Sequence, residues 1–113
     1  MAASKLGAIL LMVAVFALMA MPRPDAASGV THNVTMDGTT FKPGSMTIKL
    51  GDVVVWTNED PFPHTATAIA ATPAFDSKPV APGGRFIFKP AAKGDYPYKC
   101  TLHTTMRGTL HVE

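Results

Sequence analysis

From Gly29 onward, apolar and polar positions change over in short bursts. Val30, His32, Val34 and Met36 alternate with Thr31, Asn33 and Thr35, the two-residue period of a strand. Asp37-Gly38 closes this run with a turn signal, and Phe41-Lys42-Pro43-Gly44 reads as a second turn region. Met46, Ile48 and Leu50 alternate with Thr47 and Lys49. Gly51-Asp52 then turns into Val53-Val54-Val55-Trp56-Thr57, a β-branched run suited to a buried central strand. Asn58 to Pro63 is a polar, proline-bearing loop, His64 to Ile69 a short strand, and Ala70 to Pro82 irregular. Arg85, Ile87 and Lys89 alternate with Phe86 and Phe88, which turns two aromatic rings inward. Tyr96, Tyr98 and Cys100 share one face of the next strand, and Thr109 to Val112 forms the last. No segment after residue 29 carries a helical period. Seven or eight short strands in roughly 85 residues predict an all-β, antiparallel β-sandwich. Trp56, Phe41, Phe86, Phe88 and the valines are its expected core.

The first 28 residues follow a different pattern. Lys5 precedes an unbroken apolar run from Leu6 to Met21, ended by Pro22-Arg23-Pro24, and Ala26-Ala27-Ser28 supplies small residues. That is the layout of an export signal, with cleavage after Ser28 placing Ala26 at the −3 position. The run of 16 residues is short of the roughly 20 that span a bilayer. The expected organisation is a signal over 1–28 and one domain over 29–113. An uncleaved membrane anchor is the alternative.

Composition narrows the function further. The 113-residue chain is 47% hydrophobic with formal net charge +2, and residues 29–113 hold eight basic and seven acidic side chains. No basic cluster exists, so nucleic acid is excluded as a partner. The chain has a single cysteine, Cys100, so an oxidising compartment offers it no disulfide partner within the chain. An intermolecular bridge, a buried inert thiol and a metal ligand remain, and the neighbouring residues discriminate between them.

Cys100-Thr101-Leu102-His103-Thr104-Thr105-Met106 spaces three metal-ligand types three residues apart, between the end of one strand and the start of the last. His64 lies at another loop-to-strand junction, and a sandwich brings such loops to one end. A thiolate, two imidazoles and a weak thioether form the donor set of blue-copper electron-transfer sites. Zinc has little use for a thioether. Iron–sulfur clusters need more cysteines, and a c-type haem needs Cys-x-x-Cys-His. Taken singly, Met106 reads as core, His103 as a surface histidine and Cys100 as a buried thiol. The joint spacing makes His64, Cys100, His103 and Met106 the candidate ligands. His32 and His111 lack such company and read as structural or exposed.

The chain resembles the cupredoxins over almost all of Val30 to Val112, and within them is most similar to the amicyanin and plastocyanin group. The resemblance rests on Phe41-Lys42-Pro43-Gly44, Gly51 to Asn58, Pro63-His64-Thr65, Phe75-Asp76-Ser77, Ala81-Pro82-Gly83-Gly84 and Tyr96 to Cys100. The Cys-x-x-His-x-x-Met spacing is that of amicyanins. The resemblance implies a Greek-key sandwich with one type 1 copper cycling between Cu(I) and Cu(II) at one end. His64 and His103 would be the imidazole ligands, Cys100 the thiolate and Met106 the axial thioether. Two departures stand out. Thr65 replaces an asparagine common after the first histidine, and Leu102 and Thr104 replace prolines common beside the second.

The expectation is a monomeric periplasmic electron carrier without catalytic activity and without a membrane span in its mature form. It meets redox partners, such as a c-type cytochrome or a periplasmic dehydrogenase or reductase, transiently. Pro61, Phe62, Pro63 and Leu102 form the expected apolar rim around His103. A copper storage or delivery protein with the same ligands is the alternative reading.

Overall fold

Two four-stranded sheets face each other across an aromatic core. The computed structural model describes residues 29–113, so the export signal expected over residues 1–28 lies outside the described residues. The strands are β1 (Thr31–Asp37), β2 (Thr40–Lys42), β3 (Ser45–Ile48), β4 (Val53–Asn58), β5 (Thr67–Ala68), β6 (Arg85–Phe88), β7 (Gly94–Lys99) and β8 (Arg107–Val112). One sheet has the order β2-β1-β4-β6 and the other β3-β8-β7-β5. The all-β sandwich is as expected, but each sheet is mixed. β1 pairs with β4 in parallel and β3 with β8 in parallel, while the other pairs are antiparallel. The parallel pairs arise because the chain leaves the first sheet for β3 before returning as β4.

The alternation read from the sequence sets the inward faces. Val34 and Met36 of β1, Val54 and Trp56 of β4, Ile48 of β3, Tyr98 of β7 and Leu110 and Val112 of β8 are all buried. Trp56 is fully enclosed and organises the centre. Its ring lies 5.3 Å from Phe75, 5.6 Å from Phe86 and 5.5 Å from Tyr98, the last nearly perpendicular at 87°. Edge-to-face geometry of this kind adds about 0.5–1.5 kcal/mol per pair beyond area burial. Phe86 and Phe88 stay partly exposed and pack against the core from the β6 edge.

Two local readings differ from the sequence expectation. The Phe41 region forms strand β2, with Phe41 opposite Met36. Three residues are too few to show a period of two, so the proline and glycine that follow dominated the reading. Of the strand expected over His64 to Ile69, only Thr67–Ala68 pairs within a sheet, while single-residue bridges His64↔Val80 and Thr67↔Asp76 tie the segment to the irregular stretch on its other side.

At the end of the sandwich where β4 begins, Asp52 clamps three strand ends. Its carboxylate accepts the Val30 N–H at 2.9 Å, the Lys49 N–H at 3.0 Å and a contact from His32 Nε2 at 2.9 Å. The His32 hydrogen bond, then the Lys49 and Val30 N–H groups, hold its carboxyl down at about 2 against burial, from an ordinary 3.8. His32 is therefore structural, as its sequence context implied, and His111 pairs with the exposed Asp95 at 2.6 Å.

Two outcomes follow from this packing. Gly108 sits opposite Tyr98, and a Cβ there would collide with the Tyr98 ring. Gly108→Ala is expected to cost about 1–3 kcal/mol as overpacking, read from urea unfolding. Asp52 is the second case. A carboxyl lowered on folding stabilises the protein above its unfolded value of 3.8, and that contribution disappears as pH falls toward 2. Asp52→Ala should lower stability at neutral pH and flatten the acid limb between those values. An unchanged acid limb in unfolding curves would show that Asp52 is not the clamp.

Candidate metal centre

The loop from β4 to His64 is built around Asn58. Its Nδ2 donates to the carbonyls of Phe62 and Val80, each at 2.9 Å, and its Oδ1 accepts the Asp60 N–H at 2.9 Å. All three bonds are made by a fully buried side chain, so the loop has one well-defined path. The Val80 bridge then fixes the His64 backbone, with His64 N–H donating at 3.2 Å and His64 C=O accepting at 2.7 Å.

His64 is completely buried, and a buried imidazole needs its N–H satisfied. Asp60 does this: its Oδ2 lies 2.6 Å from His64 Nε2. The same carboxylate accepts the N–H groups of Gly38 and Thr39 at 2.7 and 3.0 Å. The Thr39 N–H is the leading reason its carboxyl lies below the usual range, against the opposing effect of burial, with further help from His64 and Gly38. With Nε2 donating to a carboxylate, Nδ1 is left as the free lone pair. It faces Cys100 Sγ at 3.8 Å.

Cys100 follows β7, on the inward side already held by Tyr98. Its N–H donates to the Met106 carbonyl at 3.0 Å, and the Met106 N–H donates to the His103 carbonyl at 2.9 Å. These two bonds close the 100–106 loop into a tight turn. Burial pushes the Cys100 thiol up. The Thr65 N–H leads the hydrogen bonds that outweigh that and bring it down to about 6. The sulfur is therefore prepared as a thiolate near neutral pH, the form that binds metal.

His103 completes the group. The donor atoms of His64, Cys100 and His103 all lie within 4.8 Å of one another, and the two imidazole centroids are 4.9 Å apart. Met106 is buried at the same end, its backbone bonded into the loop. His103 Nδ1 is buried and has no hydrogen-bond partner. Such a group costs free energy unless something else satisfies it. A metal ion beside the Cys100 sulfur and His64 Nδ1 would do so, and this soft N₂S set with a nearby thioether suits copper. The exposed Phe62 ring lies 5.5 Å from His103, and its chain neighbours Pro61 and Pro63, like Leu102 next to His103, are exposed.

Fold and donor set together define a small copper-binding β-sandwich with its metal site at one end. The chain belongs to the cupredoxin-like family: the family's domain model matches residues 8–112. It is most similar to the plastocyanin and amicyanin group. It is 33% identical to plastocyanin of Scenedesmus fuscus over 84 residues, covering 65% of this chain and 86% of that one. It is 29% identical to amicyanin of Paracoccus versutus over 97 residues, covering 80% and 74%. Among solved structures it superposes on the copper-containing nitrite reductase of Thermus scotoductus with TM-score 0.66 at 30% identity. That match covers 75% of this chain but only 22% of the reductase, a single domain's worth.

The structure brings the donor atoms of His64, Cys100 and His103 together and buries Met106 in the same loop as Cys100 and His103. The sequence reading missed Asp60 and Asn58, which it left inside a polar loop. A carboxylate four residues before a candidate histidine ligand was the available signal for Asp60. It also assigned no role to Thr67 and Asp76.

Proposed function

We propose that the chain carries single electrons on one copper ion bound by His64 Nδ1, Cys100 Sγ, His103 Nδ1 and, as a weak axial ligand, Met106. The observation that carries this reading is the orphaned His103 Nδ1, buried beside the His64 and Cys100 donors. The bound ion supplies a Cu(I)/Cu(II) couple. The protein's own part is to hold the donors still, so that little rearranges when the charge changes. Asp60 fixes the His64 ring, the Thr65 N–H donates to the Cys100 sulfur at 3.3 Å, and the 100–106 turn fixes His103 and Met106.

The rim of Pro61, Phe62, Pro63 and Leu102 gives this reading its exit. Leu102 is 50% exposed and Phe62 38%, an apolar surface around a half-buried histidine. A small apolar patch suits transient docking, in which a redox protein binds weakly and leaves quickly. The partner class is a c-type cytochrome or a periplasmic dehydrogenase or reductase. Residues 1–28 direct export to the periplasm and are removed, and residues 29–113 work there as a monomer. Among the described residues, no helix is long and apolar enough to cross a membrane.

Retention is favoured over copper delivery. Met36 is fully buried in the core and Met46 packs against it, so neither presents a thioether from which copper could be handed on. The reading is of a carrier without an enzymatic step of its own, since the overlap with the nitrite reductase covers only a fraction of that enzyme.

Two measurements test this. Equimolar Cu(II) added to the metal-free protein should produce the intense visible band of thiolate-to-Cu(II) charge transfer. Cys100→Ala should stay folded and colourless, and a blue Cys100→Ala protein would refute the thiolate assignment. Met106→Leu should keep copper and raise the reduction potential, because a thioether donates weakly to Cu(II) and its loss disfavours the oxidised state. A lowered or unchanged potential by voltammetry would remove Met106 from the ligand set.

A further inference from the structure

Thr65 follows His64, and its side chain is 2% exposed. Its hydroxyl makes three contacts. The Thr101 N–H donates to Thr65 Oγ1 at 2.9 Å, Thr101 Oγ1 lies 3.1 Å away and Thr67 Oγ1 3.0 Å away. Thr67, also buried, lies 3.1 Å from Asp76 Oδ1. Asp76 is itself held by Lys78, whose N–H donates to Oδ1 at 2.9 Å and whose ammonium donates to Oδ2 at 3.1 Å.

Proton inventory gives these contacts a direction. An ionised carboxylate only accepts, and each threonine hydroxyl has a single hydrogen to give. The Lys78 N–H, then its ammonium, keep the Asp76 carboxyl below its ordinary value of 3.8 despite some burial, with Thr67 helping, so Asp76 is ionised at neutral pH. Thr67 must therefore donate to Asp76. Its oxygen then accepts from Thr65, whose hydrogen is spent on that bond. Thr65 Oγ1 is left with two lone pairs, and Thr101 fills both, one with its N–H and one with its hydroxyl. The chain runs one way, from Thr101 through Thr65 and Thr67 to Asp76. Each donor in such a chain polarises the next, strengthening every bond by about 10–30%.

We propose that Asp76 is a positioning residue for the ligand loop, acting through Thr67 and Thr65 to hold Thr101 against the segment that carries His64. Thr101 adjoins Cys100 and Thr65 adjoins His64, so the chain locks the two ligand-bearing segments in register. It also fixes the Thr65 backbone, whose N–H reaches the Cys100 sulfur. The three hydroxyls and the carboxylate thus do together what one asparagine side chain would do alone, and they extend the brace to a half-exposed charge. The effect on the copper centre rests on the electron-carrier reading, whereas the chain of hydrogen bonds does not.

The test has a metal-free arm and a copper arm. In the metal-free protein, backbone amide exchange of Thr101 is followed by NMR. Thr67→Val and Asp76→Ala should each speed it by roughly five- to tenfold, the loss of about one hydrogen bond's net worth. Thr67→Ser, which keeps the hydroxyl, should restore wild-type exchange. The double variant Thr67→Val/Asp76→Ala should exchange no faster than Thr67→Val alone, because both changes cut one chain. Additive effects, or an Asp76→Ala protein with wild-type Thr101 exchange, would overturn the proposal. Should Thr67→Val not fold, Asp76→Asn supplies the comparison, since it keeps shape and loses charge.

In the copper-loaded protein, Asp76→Ala should lower the reduction potential, because a loosened Thr65 N–H bond to the Cys100 sulfur leaves more charge on the thiolate and favours Cu(II). The shift should persist at high salt, which screens the direct field of a partly exposed carboxylate, and should be absent in the Thr67→Val background. A rise, or a shift that vanishes with salt, would reduce Asp76 to a surface charge. Failure to bind copper with the Thr101 exchange pattern intact would overturn the electron-carrier reading and leave the relay standing.

Discussion

The hydrogen bond from His64 to Asp60 settles the orientation of the site. A fully buried imidazole has two nitrogens to account for, and one carboxylate at 2.6 Å claims Nε2. Nδ1 is then aimed at Cys100 without competition. Asp60 is held in turn by the turn between β1 and β2. Gly38 and Thr39 have φ of 62° and 56°, so both central residues of this two-residue hairpin turn lie in the left-handed region. A β-branched residue rarely adopts that conformation. The Asp60 carboxylate accepts both of their N–H groups and so stabilises the turn that holds it. A hairpin tip, a buried acid and a buried imidazole form one connected unit, in which a change at any member reaches the other two.

The sandwich supplies what this unit cannot. Tyr98 and Cys100 are successive inward residues of one strand and its extension, and Tyr98 is locked between Trp56, Phe41 and Phe75. The sulfur inherits that fixity, two residues from the centre of the core. Close packing of this kind resists small displacements, since neighbouring side chains leave no void to relax into. A metal centre that must accept and lose charge with little rearrangement gains from having its strongest ligand rooted there. His64 reaches the same centre by way of the Asn58 loop, which follows β4 of the opposite sheet, so both sheets contribute to the donor cluster.

Most of the fold, and the residues that the structure clusters at His64, Cys100 and His103, were readable from the chain. Alternation together with β-branched and short apolar runs located seven of the eight strands, and the Cys100–Met106 spacing located three of the four candidate ligands because those residues are close in sequence. β2 escaped because three residues cannot display a period and Pro43 follows them at once. Parallel pairing within each sheet escaped because alternation reports which face of a strand is buried and says nothing of its neighbour's direction. Asp60, Asn58, Thr67 and Asp76 escaped for a shared reason. Short polar side chains look solvated in sequence, and only the folded chain shows that Asn58 is fully enclosed and Asp60 and Thr67 nearly so. Thr65 was visible as a departure from an expected asparagine. Its compensation was not, because the partners that complete its hydroxyl come from positions 67, 76 and 101.

The two histidines are held by opposite means, and that asymmetry gives the site a direction. His64 is enclosed, bonded through its far nitrogen to an acid that is itself bonded to a turn. His103 has no such anchor. Its Nδ1 points inward without a protein partner, and the rest of its ring is partly open to solvent among Phe62, Leu102 and the two prolines. One imidazole is therefore positioned by the protein, the other by the short loop that carries it and by whatever occupies the centre. An electron carrier needs this division. The buried side sets the geometry and keeps it while partners come and go. The exposed side brings a candidate donor ring up to an apolar surface, where a partner can approach without stripping water from charged groups. Exchanging the roles of the two histidines would keep the same donor types, but the anchored ring would face solvent and the unanchored one would sit where no partner could reach it.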